Sequence, residues 1–188
     1  MDKLHLAVII VSTRPVRVGL PVGKWFFEAA QAHGQFAINL IDLKEVNLPL
    51  FDEPKHPRLG EYEHAHTKAW SAQVQAADAF VFVTPEYNYS SPPSLVNAVD
   101  YLHREWFYKP AGFVSYGGIA AGTRSAQMSK LLLTGLKVMP MAEGVAIPFV
   151  NTHVEDDVFK PAESTAHSAK VMLDELHRWA VALRPMRG

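Results

Sequence analysis

Apolar residues follow two patterns that alternate along this chain. Short runs rich in Val, Ile and Phe predict β-strands, and the longer stretches between them repeat apolar residues at helical spacing. We predict five strands, at Leu4–Val11, Phe36–Leu43, Ala79–Pro85, Ala111–Gly118 and Met141–Val150. We predict five helices, at Pro21–Gly34, Tyr62–Ala76, Ser94–His103, Thr123–Val138 and Ala162–Arg184.

This alternation predicts an α/β fold, a three-layer sandwich with helices on both faces of a five-stranded parallel sheet. No linker, repeat or low-complexity tract divides the chain, so we expect residues 1–188 to form a single domain. Ligands of such sheets bind beyond the carboxyl ends of the strands. Three loops emerge there, at Ser12–Gly19, Thr84–Pro93 and Ser115–Thr123.

Composition narrows the class of protein. Of 188 residues, 48% are apolar, and 18 basic residues against 19 acidic ones give a net charge of −1, so neither nucleic acid nor an anionic membrane is expected as the main partner. The chain has no cysteine, which excludes disulfides, thiolate nucleophiles and iron–sulfur clusters. The first apolar run is too short to cross a bilayer and lacks a signal-peptide cleavage site. We therefore expect a cytoplasmic protein without a membrane anchor.

The first loop has the chemistry of an anion site. Ser12 and Thr13 offer hydroxyl donors, Arg14 and Arg17 offer charged guanidinium groups, and a helix N-terminus follows at once. A surface turn with solvated arginines is the alternative. The loop's place at the first βα turn of a parallel sheet favours a phosphate.

The other two loops suit a planar ring. In "TPEYNYSSPP" prolines stiffen both ends, two tyrosines offer flat faces and Asn88 offers an amide; the alternative is a capped helix entry with Ser91 or Ser94 as the N-cap. In "SYGGIAAGTRSAQ" glycines would let the backbone approach a ring, although Gly122 is better explained as a sterically required turn residue. Together the three loops favour a ligand with a ring and a phosphate, and FMN has that shape.

The motifs in these loops resemble those of the NADPH-dependent FMN reductase family. "STRPVRVGLPV" is similar to the family's S-x-R-x-x-R phosphate loop, "TPEYNYSSPPSLVNAVDYL" to its P-E-Y-N signature with the helix after it, and "SYGGIAAGTRS" to its glycine loop. The resemblance extends from about Leu6 to Ile147. It implies a flavodoxin-like sheet in the strand order 2-1-3-4-5. Pro93 stands where many relatives have glycine, and Tyr89 occupies a variable position.

The resemblance also implies which residues bind FMN. The phosphate would be bound by Ser12, Arg14, Arg17 and Val18. The ring edge and ribityl chain would be followed by Pro85, Glu86, Tyr87 and Asn88. The pyrimidine side of the ring would be flanked by Ser115, Gly117 and Gly118. Tyr89 would border the space for the substrate.

The activity implied is transfer of hydride from NADPH or NADH through FMN to an acceptor in ping-pong order, with a quinone, free flavin, azo compound or metal oxyanion as acceptor. The flavin does this chemistry, so we predict no catalytic side chain. The alternative is a flavodoxin-type electron carrier, which the near-neutral charge disfavours because such carriers tend to be strongly acidic. A third interpretation is a structural or regulatory protein with no flavin.

Two further expectations concern metals and assembly. His64 and His66 invite a metal site, but residues two apart on a helix do not share a face, so we predict none. The family resemblance implies a homodimer or homotetramer. We place the contact at Ser94–His103 and at the aromatic cluster Trp106–Tyr108, for which core anchoring is the alternative.

Overall fold

The computed structural model describes residues 3–187 and shows a parallel β-sheet between two layers of helices. The strands of this sheet are β1 (Leu4–Ile10), β2 (Phe36–Asp42), β3 (Ala79–Pro85), β4 (Pro110–Tyr116), β5 (Met139–Pro140) and β6 (Val145–Ile147). The α-helices are α1 (Gly19–His33), α2 (Leu43–Val46), α3 (Ala65–Ala76), α4 (Pro93–Asp100), α5 (Thr123–Thr134) and α6 (Glu163–Leu183). Short 3₁₀ turns lie at Pro57–Leu59, Arg104–Trp106, Val150–His153 and Arg184–Arg187, and a small hairpin joins β7 (Val154–Glu155) to β8 (Val158–Phe159).

The strand order is β2-β1-β3-β4-β5, which confirms the predicted fold class. The fifth strand differs from the prediction because it comes in two pieces, β5 and β6, that both pair with β4 in parallel. Pro140 has no N–H to donate, and the chain leaves the sheet after Met141 before it returns at Val145.

Side chains alternate between the two faces of the sheet, as the two-residue period of a strand requires. On β1, Leu6 and Val8 pack with α1 and α6, whereas Ala7 and Ile9 pack with α3, α4 and α5. Trp106 is fully buried on this second side, where its Nε1–H donates to Val99 O at 3.2 Å. Trp106 therefore anchors the core, as the alternative interpretation of the aromatic cluster expected, and its ring is not available to a partner subunit.

Two helices end at a glycine. Gly34 caps α1 in the left-handed conformation with φ of 79°. Gly135 follows the last residue of α5, so this helix ends four residues before the predicted Val138. Among residues 3–187 no helix has both the length and the apolar character to cross a membrane.

The pairing of β1, β3 and β4 brings their carboxyl ends to one edge of the sheet. Val11 N–H donates to Val83 O, and Pro85 lies opposite Tyr116 in the register of β3 and β4. The chain after β4 turns sharply at Gly122, which has φ of 74°. A Cβ there would lie 2.6 Å from Tyr116 O and 2.7 Å from Tyr116 N, so only glycine fits this turn.

We predict that Gly122→Ala destabilises the protein by about 3 kcal/mol or more, because a left-handed backbone cost and a clash with rigid backbone add together. Gly60→Ala is the matched control: Gly60 has φ of 70° but nothing within 4 Å of the added Cβ, so the cost there should be about 1 kcal/mol. Urea unfolding of the two variants measures the difference. Equal losses at both glycines would contradict the steric explanation.

Candidate functional site

A cleft of about 460 Å³ lies at the carboxyl edge of the sheet, where four segments of chain meet. This volume is within the usual range of small-molecule and cofactor sites. The lining residues come from the three predicted loops and from the segment after β6: Arg14, Val18, Pro85, Glu86, Tyr87, Tyr116, Gly117, Gly118, Phe149, Val150, Asn151 and Thr152.

The loop after β1 brings donors to one end of this cleft. Arg14 is exposed and lines it, while Ser12 is buried and its Oγ lies 2.9 Å from the hydroxyl of Tyr87. Val18 precedes α1 with no side chain capping the helix, and the first turn contains no acidic residue. The first N–H groups of α1 and the positive end of its dipole therefore remain available to an anion.

Arg17 is held differently from Arg14. Its guanidinium forms an ion pair with Asp42 at the end of β2, and its side chain is only 7% exposed. The Nε–H of Arg17 is buried and has no hydrogen-bond partner. One side of the guanidinium is thus fixed by Asp42, and the predicted contact of Arg17 with a phosphate stays a prediction.

The loop after β3 is a tight turn. Tyr87 and Ser90 exchange two backbone hydrogen bonds, and the residues between them, Asn88 and Tyr89, have φ of 49° and 67°. Two consecutive left-handed residues are typical of a type I′ turn, for which Asn is a favoured first residue and Tyr is costly at the second. The turn directs Tyr89 outward, where it is 70% exposed.

An ionic clamp holds this turn against the start of α5. The Glu86 carboxylate accepts from Arg124 Nε at 2.6 Å and from Arg124 N at 3.1 Å, so it also caps the helix. The guanidinium of Arg124 lies over the Tyr89 ring, 3.7 Å from its centroid. Tyr89 therefore packs on Arg124 and is not among the residues that line the cleft.

Hydrogen bonds from serine and threonine hydroxyls also hold the loop after β3 in place. Ser91 Oγ lies 2.7 Å from Ser129 Oγ, Thr84 Oγ1 lies 3.2 Å from Ser125 Oγ, and Ser94 donates to Val11 O at 2.7 Å. Neither Ser91 nor Ser94 caps α4, which begins after Pro92 without a side-chain cap. The alternative interpretation of this loop as a serine-capped helix entry is therefore not what the structure shows.

The glycine loop after β4 is hydrogen-bonded to the segment that follows β6. Phe149 N–H donates to Gly118 O and Val150 N–H donates to Gly117 O, while Gly117 N–H donates to Ile147 O. A Cβ on Gly118 would meet nothing within 4 Å, so this backbone faces open space. Ser115 lies elsewhere: it is buried and lines a smaller pocket beside α5.

Two contributions to the cleft were not predicted from the sequence. Residues 149–152 follow the carboxyl end of β6, so the rule that selected the other loops also applies to them, but the predicted strand extended through Val150. Phe149 is 54% exposed and has φ of 47°, an uncommon backbone for an aromatic residue. The sequence motifs predict no role for Tyr116, whose hydroxyl is buried without a partner of hydrogen-bond geometry among residues 3–187.

The paired histidines lie outside the cleft. His64 is the residue before α3 and not part of it, and its ring stacks on that of His66 with centroids 5.1 Å apart. His66 Nε2 lies 3.0 Å from Asp52 Oδ1, which also accepts from the Tyr101 hydroxyl at 2.8 Å. These bonds lower the pKa of Asp52 against the opposing effect of burial. The arrangement fixes the loop before α3 to α4.

Comparison with known proteins decides the family. The family model for NADPH-dependent FMN reductase matches residues 4–152. The chain belongs to this family. It is 35% identical over 166 residues to an NAD(P)H-dependent FMN reductase of Schizosaccharomyces pombe, covering 86% of this chain and 82% of that protein. It is 29% identical over 168 residues to a quinone reductase of Pseudomonas putida, covering 83% and 87%.

The fold has a solved counterpart in FerB, a flavoenzyme NAD(P)H:(acceptor) oxidoreductase from Paracoccus denitrificans. The TM-score is 0.77 at 21% identity, with 95% of this chain and 98% of that chain covered. The predicted family is thus confirmed, and with it an oxidoreductase that uses FMN and NAD(P)H.

The residues of this FMN reductase fit its cofactor. A phosphate needs cationic and N–H donors, which Arg14 and the uncapped N-terminus of α1 supply at one end of the cleft. A planar ring needs flat walls and open backbone, which the segment Pro85–Tyr87 and Gly118 supply at the other. Seven of the eleven predicted cofactor residues line the cleft: Arg14, Val18, Pro85, Glu86, Tyr87, Gly117 and Gly118.

Proposed function

We propose that this protein reduces a small acceptor at the expense of NAD(P)H, with FMN held in the 460 Å³ cleft. The observation that carries the proposal is one cleft with an uncapped helix N-terminus at one end and exposed glycine backbone at the other. When bound, FMN supplies the ability to accept a hydride from a nicotinamide and to pass the electrons on. Donor and acceptor share the cleft, so they bind in turn, which is ping-pong order.

The phosphate end is assigned to the loop after β1. Arg14 supplies a positive charge that no acidic side chain among residues 3–187 pairs. Ser12 and Arg17 supply further O–H and N–H donors, and the helix α1 begins after Val18 with its first N–H groups toward the phosphate. Because Arg17 is already neutralised by Asp42, Arg14 contributes most of the unpaired positive charge.

The ring end is assigned to the loops after β3 and β4. Pro85, Tyr87 and Asn88 follow the ring edge, and Glu86 acts indirectly because its carboxylate is committed to Arg124. Gly118 offers an N–H to the pyrimidine side, whereas the N–H of Gly117 is already bonded to Ile147. Two predicted contacts stay predictions. Ser115, a residue of β4, lines a separate pocket, and Tyr89 packs on Arg124.

Apolar side chains near the glycine loop favour a planar acceptor such as a quinone over a metal oxyanion. Ile119 and Phe149 are both largely exposed, and Phe149 lines the cleft. An uncharged planar acceptor would bury this surface, whereas a metal oxyanion would not. The quinone reductase of Pseudomonas putida among the relatives is consistent with this choice.

We predict that the FMN-loaded protein loses its flavin absorbance within seconds when mixed with saturating NADPH or NADH, because the hydride donor reaches an open cleft. Stopped-flow absorbance in the absence of oxygen measures this, and adding a quinone should restore the absorbance. Protein that binds FMN but is not reduced by either nucleotide would be an electron carrier, and the proposed activity would fall.

We predict that Arg14→Ala weakens FMN binding by about tenfold to a hundredfold, because a charge-assisted contact is worth about 1.5–3 kcal/mol. Binding of riboflavin, which has no phosphate, should change little. Arg58→Ala is the matched control, since Arg58 is exposed and belongs to a 3₁₀ turn that does not line the cleft. The measurement is flavin fluorescence titration of apo-protein, and unchanged FMN affinity in Arg14→Ala would remove Arg14 from the phosphate site.

We propose that a second copy of the chain covers the outer face of α5, while the contact predicted at Ser94–His103 stays a prediction. Arg124, Met128 and Leu131 follow one another at helical spacing, and Tyr89 packs on the first of them. Met128 and Leu131 are exposed, Leu131 to 73%, and the Glu86–Arg124 clamp connects this apolar stripe to the cleft. A homodimer formed here would place each cleft near the subunit boundary.

We predict that Leu131→Glu shifts the protein toward monomer, because it places a charge in the proposed contact. Val181→Glu on α6 is the control, since Val181 is exposed on a helix of the opposite layer. Sedimentation velocity at micromolar concentration should show at least a dimer for wild type and control. If wild type is a monomer that still reduces acceptors, the proposed dimer is contradicted and the proposed activity stands.

A further inference from the structure

The hydroxyl of Tyr116 is the unexplained polar group of the cleft. Tyr116 ends β4 and is 3% exposed, and no partner among residues 3–187 meets its hydroxyl with hydrogen-bond geometry, although the Ser12 side chain is near it. Buried hydroxyls normally have a partner, because an unpaired polar group loses its bonds to water on burial. Tyr101, a buried tyrosine on the opposite side of the sheet, follows the rule by donating to Asp52.

This hydroxyl lies against the N-terminus of α1. A Cβ on Gly19, the first residue of the helix, would lie 2.3 Å from the Tyr116 hydroxyl oxygen and 3.6 Å from Ser12 Cβ. The hydroxyl therefore shares its surroundings with the uncapped end of α1 and with Ser12, whose own hydroxyl is paired with Tyr87. The Tyr116 hydroxyl has room there because Gly19 has no side chain.

Its protonation state makes it a donor. Burial raises the pKa of Tyr116 well above its ordinary value, and the nearby Tyr87 adds to this. The neighbouring Ser12 hydroxyl and the positive charges of Arg17 and Arg14 lower the pKa by less. At neutral pH the hydroxyl carries its proton and can donate it in a hydrogen bond.

The other buried hydroxyls without partners do not lie beside the cleft. Among residues 3–187, Tyr62 and Thr67 also have unpaired side-chain hydroxyls, but neither lines the cleft. Tyr116 combines three properties: its hydroxyl is buried, unpaired and next to a helix N-terminus that nothing caps. Those are the properties of a group positioned for an anion.

We propose that the Tyr116 hydroxyl donates a hydrogen bond to the FMN phosphate and that Gly19 is required to leave it space. The inference rests on the proposed assignment of the phosphate to the loop after β1. It adds a neutral donor from β4, on the far side of β3 from that loop. It also implies that the free protein is destabilised by an unpaired hydroxyl and that binding of the phosphate removes this cost.

Tyr116→Phe tests the contact, because it removes one oxygen and keeps the ring. We expect the dissociation constant for FMN to rise about tenfold to a hundredfold, as for loss of a hydrogen bond to a charged group. The dissociation constant for riboflavin should stay within about twofold, since riboflavin has no phosphate. Tyr101→Phe is the matched control, which removes a paired hydroxyl remote from the cleft and should leave both dissociation constants unchanged.

Thermal unfolding gives a second readout that does not depend on turnover. Apo-Tyr116→Phe should melt at the same temperature as apo wild type or higher, because an unpaired buried hydroxyl is removed. The rise in Tm on adding FMN should be smaller than in wild type, and the rise on adding riboflavin should be the same. Apo-Tyr101→Phe should melt lower, since its hydroxyl is paired.

The outcomes separate this inference from the proposed function. If Tyr116→Phe weakens FMN and riboflavin equally, or weakens neither, the hydroxyl does not contact the phosphate. If the apo-variant melts lower and keeps its preference for FMN, the hydroxyl serves the fold, and the inference is overturned while the phosphate site stands. If wild type itself binds FMN and riboflavin equally, the assignment of the phosphate to the loop after β1 falls, and this inference falls with it.

Discussion

The central position of β3 between β1 and β4 determines where everything else in the site lies. Parallel pairing on both sides of β3 fixes the ends of three strands at one edge of the sheet, with Pro85 opposite Tyr116. The loops that follow these strands therefore begin close together at that edge. In the proposed site the donors for a phosphate come from the loop after β1 and the walls for a ring come from the loops after β3 and β4, and the backbone hydrogen bonds of the sheet keep these loops at a fixed separation.

The loops at this edge are strained, and tertiary contacts maintain the strain. Asn88, Tyr89, Ala121 and Phe149 all have positive φ, a conformation that costs a residue with a side chain about 1–2 kcal/mol. Each is held by neighbours: the turn at Tyr89 by its backbone pair and by Arg124, and Phe149 by its hydrogen bond to Gly118. Strain of this kind persists where the surroundings over-determine the backbone, which is characteristic of binding sites.

What the sequence predicts well is local. β3 agrees with its predicted bounds because an apolar run is closed by Asp78 before it and by a proline at its end. α5 ends earlier than predicted, beside Gly135. The split of the fifth strand depends instead on how β4 pairs on its outer side. The clamp from Glu86 to Arg124 and the approach of Tyr116 to Gly19 are contacts between distant parts of the chain, and no residue spacing contains them. Three of the four segments of the cleft could therefore be predicted from the sequence. The contacts between these segments could not.

The pairing of Arg17 with Asp42 changes how an anion would be stabilised here. With that charge balanced, the first loop presents Arg14 as its unpaired guanidinium, beside the partial charges of the α1 N-terminus. A phosphate carries close to two negative charges, so two arginines and no acid would match it by charge alone. Within residues 3–187, the proposed site instead combines one unpaired guanidinium with neutral donors that the fold has already oriented, namely backbone N–H groups and buried hydroxyls. Oriented neutral donors lose little entropy on binding and are less screened by salt than an exposed charge. In the proposed site, recognition of the phosphate would depend on geometry, and that geometry depends on the missing side chain of Gly19 and on the position of β3 between β1 and β4.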